Sequence, residues 1–150
     1  MSDRELQVGE VIPEALAQRL PGPGRNRVLY FMRSADCPVC MAHLRKLDLQ
    51  LPRLESLGAT VVVFVPDHSG AVEAAPGRPF PFAVVSGPEA YGQLGLRKAL
   101  LGIVQQSGSA VVDGAGRLVY LHRATMPFAA LDEVTLFAAL EAREAALGAV

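Results

Sequence analysis

The chain has 150 residues, 51% of them hydrophobic, with 14 basic side chains against 15 acidic ones for a net charge of -1. That length suits one domain, 1–150, with a core of its own, and near-neutrality without a basic stripe or aromatic–basic interleaving argues against a nucleic-acid partner. No apolar run nears the roughly 18 residues of a membrane helix, so no membrane partner is expected; the polar opening MSDRELQVGE lacks the apolar centre of a secretory signal, and a cytoplasmic location is the expectation.

Residues 1–26 read as a lead-in, with a short helix expected over Pro13–Leu20 and PGPG at 21–24 stopping it. Val28–Met32, VLYFM, is a continuous apolar run and reads as a strand buried on both faces. From Pro38 to about Leu57 the period changes: Leu44, Leu47, Leu51 and Leu54 recur at three and four, and charged residues take the other faces. Pro38 suits a first helical position and Gly58 a stop, while Pro52 predicts a kink or break. Thr60–Val65, TVVVFV, is a second buried strand, which makes a βαβ unit with a parallel pair and a right-handed crossover.

Residues 70–81, which include Pro76, Pro79 and Pro81, read as loop, and Pro88–Leu96 as a short helix. Ala110–Val112 and Leu118–Leu121 flank DGAGR and predict a β-hairpin. Leu131–Leu147 reads as an Ala-rich amphipathic helix, with Leu131, Val134, Ala138 and Leu140 among its apolar positions. The expected order is β-α-β, a linking helical region, then β-β-α.

The only two cysteines lie in RSADCPVCM, directly after the first strand. A reducing compartment argues against a purely structural disulfide and for a catalytic or metal-binding pair. A thiolate is the nucleophile, and a free cysteine ionises only near pH 8.5, so the pair needs help. The start of a helix offers unpaired N–H groups and the positive end of its dipole. Cys37 belongs there, and Cys40 lies within the first turn, close enough to resolve what Cys37 forms. Pro38 removes an N–H the helix has no use for, and stiffens the loop. Asp36 opposes a thiolate on Cys37, and Arg33 counters it.

Two other readings stand beside this one. The cysteines pack equally well as small buried hydrophobes. CPVCMAH also reads as Cys-x-x-Cys-x-x-His, with His43 and a distant His68 as zinc ligands, although structural zinc usually shows two ligand pairs and one is present. Otherwise His43 reads as a helix residue, His68 as a loop residue, and His122 as the residue after a strand. GxSxG, P-loop and GxGxxG motifs are absent.

With the strand, the CPVC and the hairpin together, the sequence resembles the thioredoxin-fold redoxins. More narrowly it resembles the alkyl hydroperoxide reductase/thiol-specific antioxidant (AhpC/TSA) group in its peroxiredoxin-like branch. The matching stretches are VGEVIP, VLYFMRSADCPVCMAHLRKLDLQLPRLESLGATVVVFVPD, PFPFAVVSGPEAYGQLGL and SAVVDGAGRLVYLHR. The resemblance implies an α/β, thioredoxin-like fold with a central mixed β-sheet flanked by helices, Cys37 as reactive thiol and Cys40 as its partner. The pattern departs in places. Ser34 matches the family's hydroxyl position, but Tyr30 stands where peroxiredoxins carry proline. Gln105-Gln106-Ser107-Gly108 occupies the place of the peroxidatic arginine or the thioredoxin cis-proline, and Asp36 replaces a common tryptophan. These departures weigh against efficient peroxidase chemistry and against a thioredoxin-style grip on a protein.

The expected function is therefore a thiol–disulfide oxidoreductase in redox homeostasis, with Cys37 and Cys40 catalytic and Arg33, Ser34, Pro38 and Ser107 contacting substrate. The substrate is a disulfide or a hydroperoxide, the reductant an external thiol such as a thioredoxin system, and no bound cofactor or metal is expected. A thiol peroxidase and a non-catalytic thioredoxin-fold binding module are the alternatives. A homodimer is compatible with the apolar composition.

Overall fold

The computed structural model describes residues 5–21, 25–34, 36–66, 80–99, 102 and 104–148. In chain order its elements are α1 (Glu14–Ala17), β1 (Asn26–Phe31), α2 (Pro38–Leu49), α3 (Leu51–Ser56), β2 (Ala59–Val65) and β3 (Ala83–Ser86), followed by α4 (Glu89–Gln93), β4 (Lys98–Ala99), β5 (Val104–Gln105), β6 (Ser107–Asp113), β7 (Leu118–Ala124), a 3₁₀ turn (Pro127–Ala129) and α5 (Glu133–Gly148).

β1 is the run NRVLYF, buried at every position except half-buried Arg27, as befits a strand with neighbours on both edges and helices on both faces. The five-stranded sheet runs β3-β2-β1-β6-β7. β1 pairs parallel with β2 through the α2–α3 connection, in the register Tyr30↔Val63 and Phe31↔Phe64. On its other edge β1 meets β6 antiparallel, with Tyr30 opposite Ser109 and Phe31 opposite Gly108. The sheet is thus mixed.

Side chains alternate across it. Val28, Tyr30, Met32, Val61, Val63 and Val65 pack on one face with Leu44, Leu47, Leu54, Leu136, Phe137 and Leu140 of α2, α3 and α5. Leu29, Phe31, Val62 and Phe64 pack on the other with Leu16 of α1 and with Tyr91 and Leu94 around α4. Tyr91 donates its hydroxyl to the carbonyls of Met32, at 2.7 Å, and Phe64, at 2.9 Å, bracing β1 and β2 where both strands end.

Pro52 breaks the helix. Its ring would strike the carbonyl of Asp48 and it has no N–H to give it, so α2 ends at Leu49, Gln50 leaves helical geometry (φ -94°, ψ 10°), and Pro52 settles into the first turn of α3. Gly58 closes α3 at φ +65°, a conformation that favours glycine.

Four expectations need correction. No strand is expected over 83–86, where the apolar run is short and lies between Pro81 and Gly87; AVVS is β3, an edge strand with only Val85 buried, and it extends the parallel pairing from β2. The linking region also holds the two-residue pair β4–β5, too short to leave a periodic signal. β6 starts at Ser107 rather than Ala110, because Ser107, Gly108 and Ser109 pair through their backbones whatever their side chains. Finally, α5 buries Leu136, Phe137 and Leu140, while Val134 is 80% exposed and Ala138 faces solvent. Positions 133, 136, 137, 140 and 144 form one stripe about 100° wide on a helix, and bulky Phe137 turns that stripe inward. Among the described residues no helix is long and apolar enough to cross a membrane.

Candidate active site

The site sits where β1 ends and α2 begins. Cys37 is the N-cap of α2, in extended geometry (φ -69°, ψ 114°), and its Sγ accepts the backbone N–H of Cys40 at 3.3 Å. That contact occupies the place of an ordinary Ser or Asp cap. Pro38 follows at the first helical position, exposed, and Cys37 N–H donates to the Ser34 carbonyl at 3.3 Å, which fixes the approach to the helix. Cys40 lies one turn in, and its Sγ accepts the Arg33 N–H at 3.4 Å. Both thiols are free. Cys37 is 2% exposed and Cys40 is 0%, so the first is the outer of the two, between exposed Asp36 and exposed Pro38 and Val39.

Burial, and then the adjacent Cys37 sulfur, push the Cys40 thiol up to about 12, against the opposing pull of the Arg33 N–H and the Tyr30 hydroxyl. Tyr30 is the missing proline position. Its hydroxyl lies 2.7 Å from His43 Nδ1, and the two rings meet edge to face at 5.7 Å. Burial raises the Tyr30 phenol, and Cys40 raises it further. Burial and the nearby Lys46 lower His43, and the Phe128 backbone acts against them.

The other expected residues divide. Ser34 Oγ donates to Asp36 Oδ1 at 2.9 Å, so this hydroxyl is engaged with the carboxylate that neighbours Cys37. Arg33 is half-buried, and its Nε finds no hydrogen-bond partner among the described residues. Ser107 opens β6 one step beyond the Phe31↔Gly108 pair, at the sheet end that carries the CPVC loop; it is 0% exposed and its Oγ has no partner there. His122 lies within β7 and bonds the Ala129 carbonyl at 2.7 Å, remote from the thiols in its bonding. His68 lies outside the described residues. No group of three His, Cys, Asp or Glu side chains comes together as a metal would need among the described residues.

The contact between Tyr30 and His43 is not among the sequence expectations, which weigh His43 only as a zinc ligand or helix residue and Tyr30 only as standing at the proline position. The signals were slight: one polar tip in an otherwise apolar strand, and a histidine one helical turn after Cys40, on the same face of α2.

The chain matches the Redoxin family over residues 16–135. It belongs to that family. Among solved structures, this redoxin is similar to a peroxiredoxin-like protein from Aquifex aeolicus, at 18% identity and TM-score 0.72, covering 92% of this chain and 88% of that one. It is similar to the peroxidoxin BcpB of Mycobacterium tuberculosis, at 18% identity and TM-score 0.71, covering 92% and 98%. It is also similar to Mycobacterium tuberculosis AhpC, at 16% identity and TM-score 0.72, covering 94% of each. At such identities the likeness speaks for the fold, which is the thioredoxin-like α/β arrangement that the resemblance implied. No curated protein matches the chain.

Proposed function

We propose that this redoxin is a thiol-dependent oxidoreductase of redox homeostasis in which Cys37 attacks and Cys40 resolves. The observation that carries the reading is the N-cap position of Cys37, whose sulfur accepts the Cys40 N–H. A thiolate there is met by a donor and by the helix dipole, and its partner thiol lies one turn away. The leading substrate is a disulfide. Cys37 thiolate attacks one sulfur of RS–SR, forms Cys37–S–SR and releases RS⁻. Cys40, once deprotonated, displaces the second RS⁻ and leaves a Cys37–Cys40 disulfide. An external thiol reductant, such as a thioredoxin system, returns two electrons and restores both thiols. Tyr30 in place of the peroxiredoxin proline, and Ser34 engaged with Asp36, favour this reading over a peroxidase.

The solved structures named as peroxiredoxins and AhpC favour a second reading. There Cys37 thiolate attacks ROOH, the O–O bond breaks, ROH leaves, and the resulting sulfenic acid condenses with Cys40 to give the same disulfide and water. Arg33, with its unpaired Nε, then serves as donor to the peroxide.

The test is a thiol count on reduced protein exposed separately to hydrogen peroxide and to a disulfide-bonded peptide. Wild type loses both thiols together; Cys37→Ser reacts at least about 10³-fold more slowly; Cys40→Ser holds a mixed disulfide or a sulfenic acid on Cys37. The faster oxidant identifies the substrate class. Thiols inert to both oxidants would leave a binding module with two core cysteines.

A further inference from the structure

We propose that Tyr30 and His43 form a proton relay that takes the proton of Cys40 as that thiol closes onto Cys37; this rests on the reading of the two cysteines as attacking and resolving thiols. Four groups stand in line. Cys40 and Tyr30 are buried in one cluster, and each shifts the ionisation of the other. Tyr30 Oη is 2.7 Å from His43 Nδ1. The Phe128 backbone on the 3₁₀ turn favours a proton on His43.

In the tautomer with its proton on Nε2, the neutral imidazole leaves Nδ1 bare to accept the Tyr30 hydroxyl, and this is the form the relay uses. With its own proton so committed, the phenol oxygen turns a lone pair to the Cys40 S–H. Transfer is then balanced: the Cys40 proton passes to Tyr30 Oη as the Tyr30 proton passes to His43 Nδ1. Tyr30 ends neutral, Cys40 becomes a thiolate and His43 an imidazolium. The thiolate attacks Cys37, the S–S bond forms, the leaving group departs with its electron pair and is protonated from solvent, and His43 returns its proton to solvent.

The buried thiol needs such help. A group pushed up to about 12 is ionised to about one part in 10⁵ at pH 7. A positioned general base commonly recovers 10²–10⁴ in rate. Burial holds His43 neutral and ready to accept. The charges facing it are balanced: Lys46 of its own helix opposes an imidazolium, and Glu133 of α5, which approaches Lys46 at 3.9 Å, favours one. Tyr30 faces Cys37, Cys40 and Tyr91. In a purely structural role the Tyr30–His43 bond would merely hold α2 to β1.

Diamide tests the relay without any assumption about the natural substrate. It adds across its N=N bond to one thiol, and the second thiol displaces the resulting hydrazide, so two thiols become one disulfide. Adduct formation, followed in a Cys40→Ser background, is the internal reference. Relative to it, ring closure slows about 100-fold at pH 7 in both Tyr30→Phe and His43→Gln. In wild type the closure rate rises through the titration of His43, below the ordinary histidine range, and then levels. In the variants that step disappears and the rate climbs with hydroxide alone. Two variants on different elements guard against a single folding defect, which circular dichroism reports. Closure within threefold of wild type in a folded variant, an unchanged pH profile, or an equal slowing of adduct formation would overturn the relay, as would a wild type that forms no disulfide with diamide. Diamide closure that depends on Tyr30, in a protein inert to peroxide and to disulfide peptides, would sink the proposed function and leave the relay standing.

Discussion

At the scale of single residues, Tyr30, Cys40 and His43 are buried groups that the fold keeps from ionising. His43 shows the consequence for stability. Its folded-state affinity for a proton is below that of the unfolded chain, whose histidine titrates near 6.5, because burial penalises the charge. Above that pH both states are neutral and nothing is lost. As pH falls below it, the unfolded chain binds a proton the native state refuses, so stability drops until native His43 is protonated as well. Denaturant midpoints at pH 8, 6.5 and 5 should therefore fall with pH more steeply in wild type than in His43→Gln. Equal slopes in the two proteins would show that His43 titrates freely in the native state.

At the scale of elements, two glycines with opposite surroundings test the packing. A Cβ on Gly108 would lie 2.1 Å from the His122 carbonyl oxygen on β7, a backbone atom that cannot swing aside. The cross-strand pairing of β6 with both β1 and β7 holds it there. Gly108→Ala should destabilise by on the order of 3 kcal/mol. A Cβ on Gly92, inside α4, meets nothing within 4 Å, and Gly92→Ala should stabilise by about 0.5–1 kcal/mol through helix propensity. Urea midpoints of the two variants, moving in opposite directions, check both; a neutral Gly108→Ala would mean that β6 and β7 lie farther apart where β6 begins and β7 ends.

At the scale of the whole molecule the sheet carries a core on each face, and α5 closes the face that holds the cysteines. Its hold is apolar: Leu136 and Leu140 are 0% exposed and Phe137 is 2%. Around that stripe run ion pairs at the surface, Arg25 with Glu144, Arg53 with Glu141 and Lys46 with Glu133. Water and salt screen such pairs, and each contributes about 0–1 kcal/mol. Leu140→Ala should cost about 2–5 kcal/mol, whereas raising sodium chloride from 0.05 to 1 M should change stability by less than about 1–2 kcal/mol. Equilibrium unfolding of both proteins at both salt concentrations separates the terms, and a larger salt effect would move the weight from the core to the charges.

Much of this molecule was legible in its sequence wherever the signal is local. VLYFM must bury both faces, Pro52 cannot continue a helix, DGAGR turns a hairpin, and Cys37 before Pro38 caps α2: each follows from period, turn chemistry or the donors a residue lacks within a few positions. What escaped is what a partner strand or an opposing face decides. AVVS becomes β3 only because β2 offers a free edge, and Ser107–Ser109 join β6 through backbone bonds to β1 and β7 that no side-chain pattern announces. The rotation of α5 depends on which of its apolar residues best fills the space over the sheet. Tyr30 and His43 lie 13 positions apart, on a strand and a helix, and each alone looks like ordinary core. The sequence by itself determined the central strands, the helices and the place of the cysteine pair, because those rest on short-range sterics and hydrogen bonding. Tertiary structure alone decided that Cys40 is buried in one cluster with a tyrosine that meets a histidine, because desolvation and proton affinity depend on everything that packs around a group, near or far along the chain.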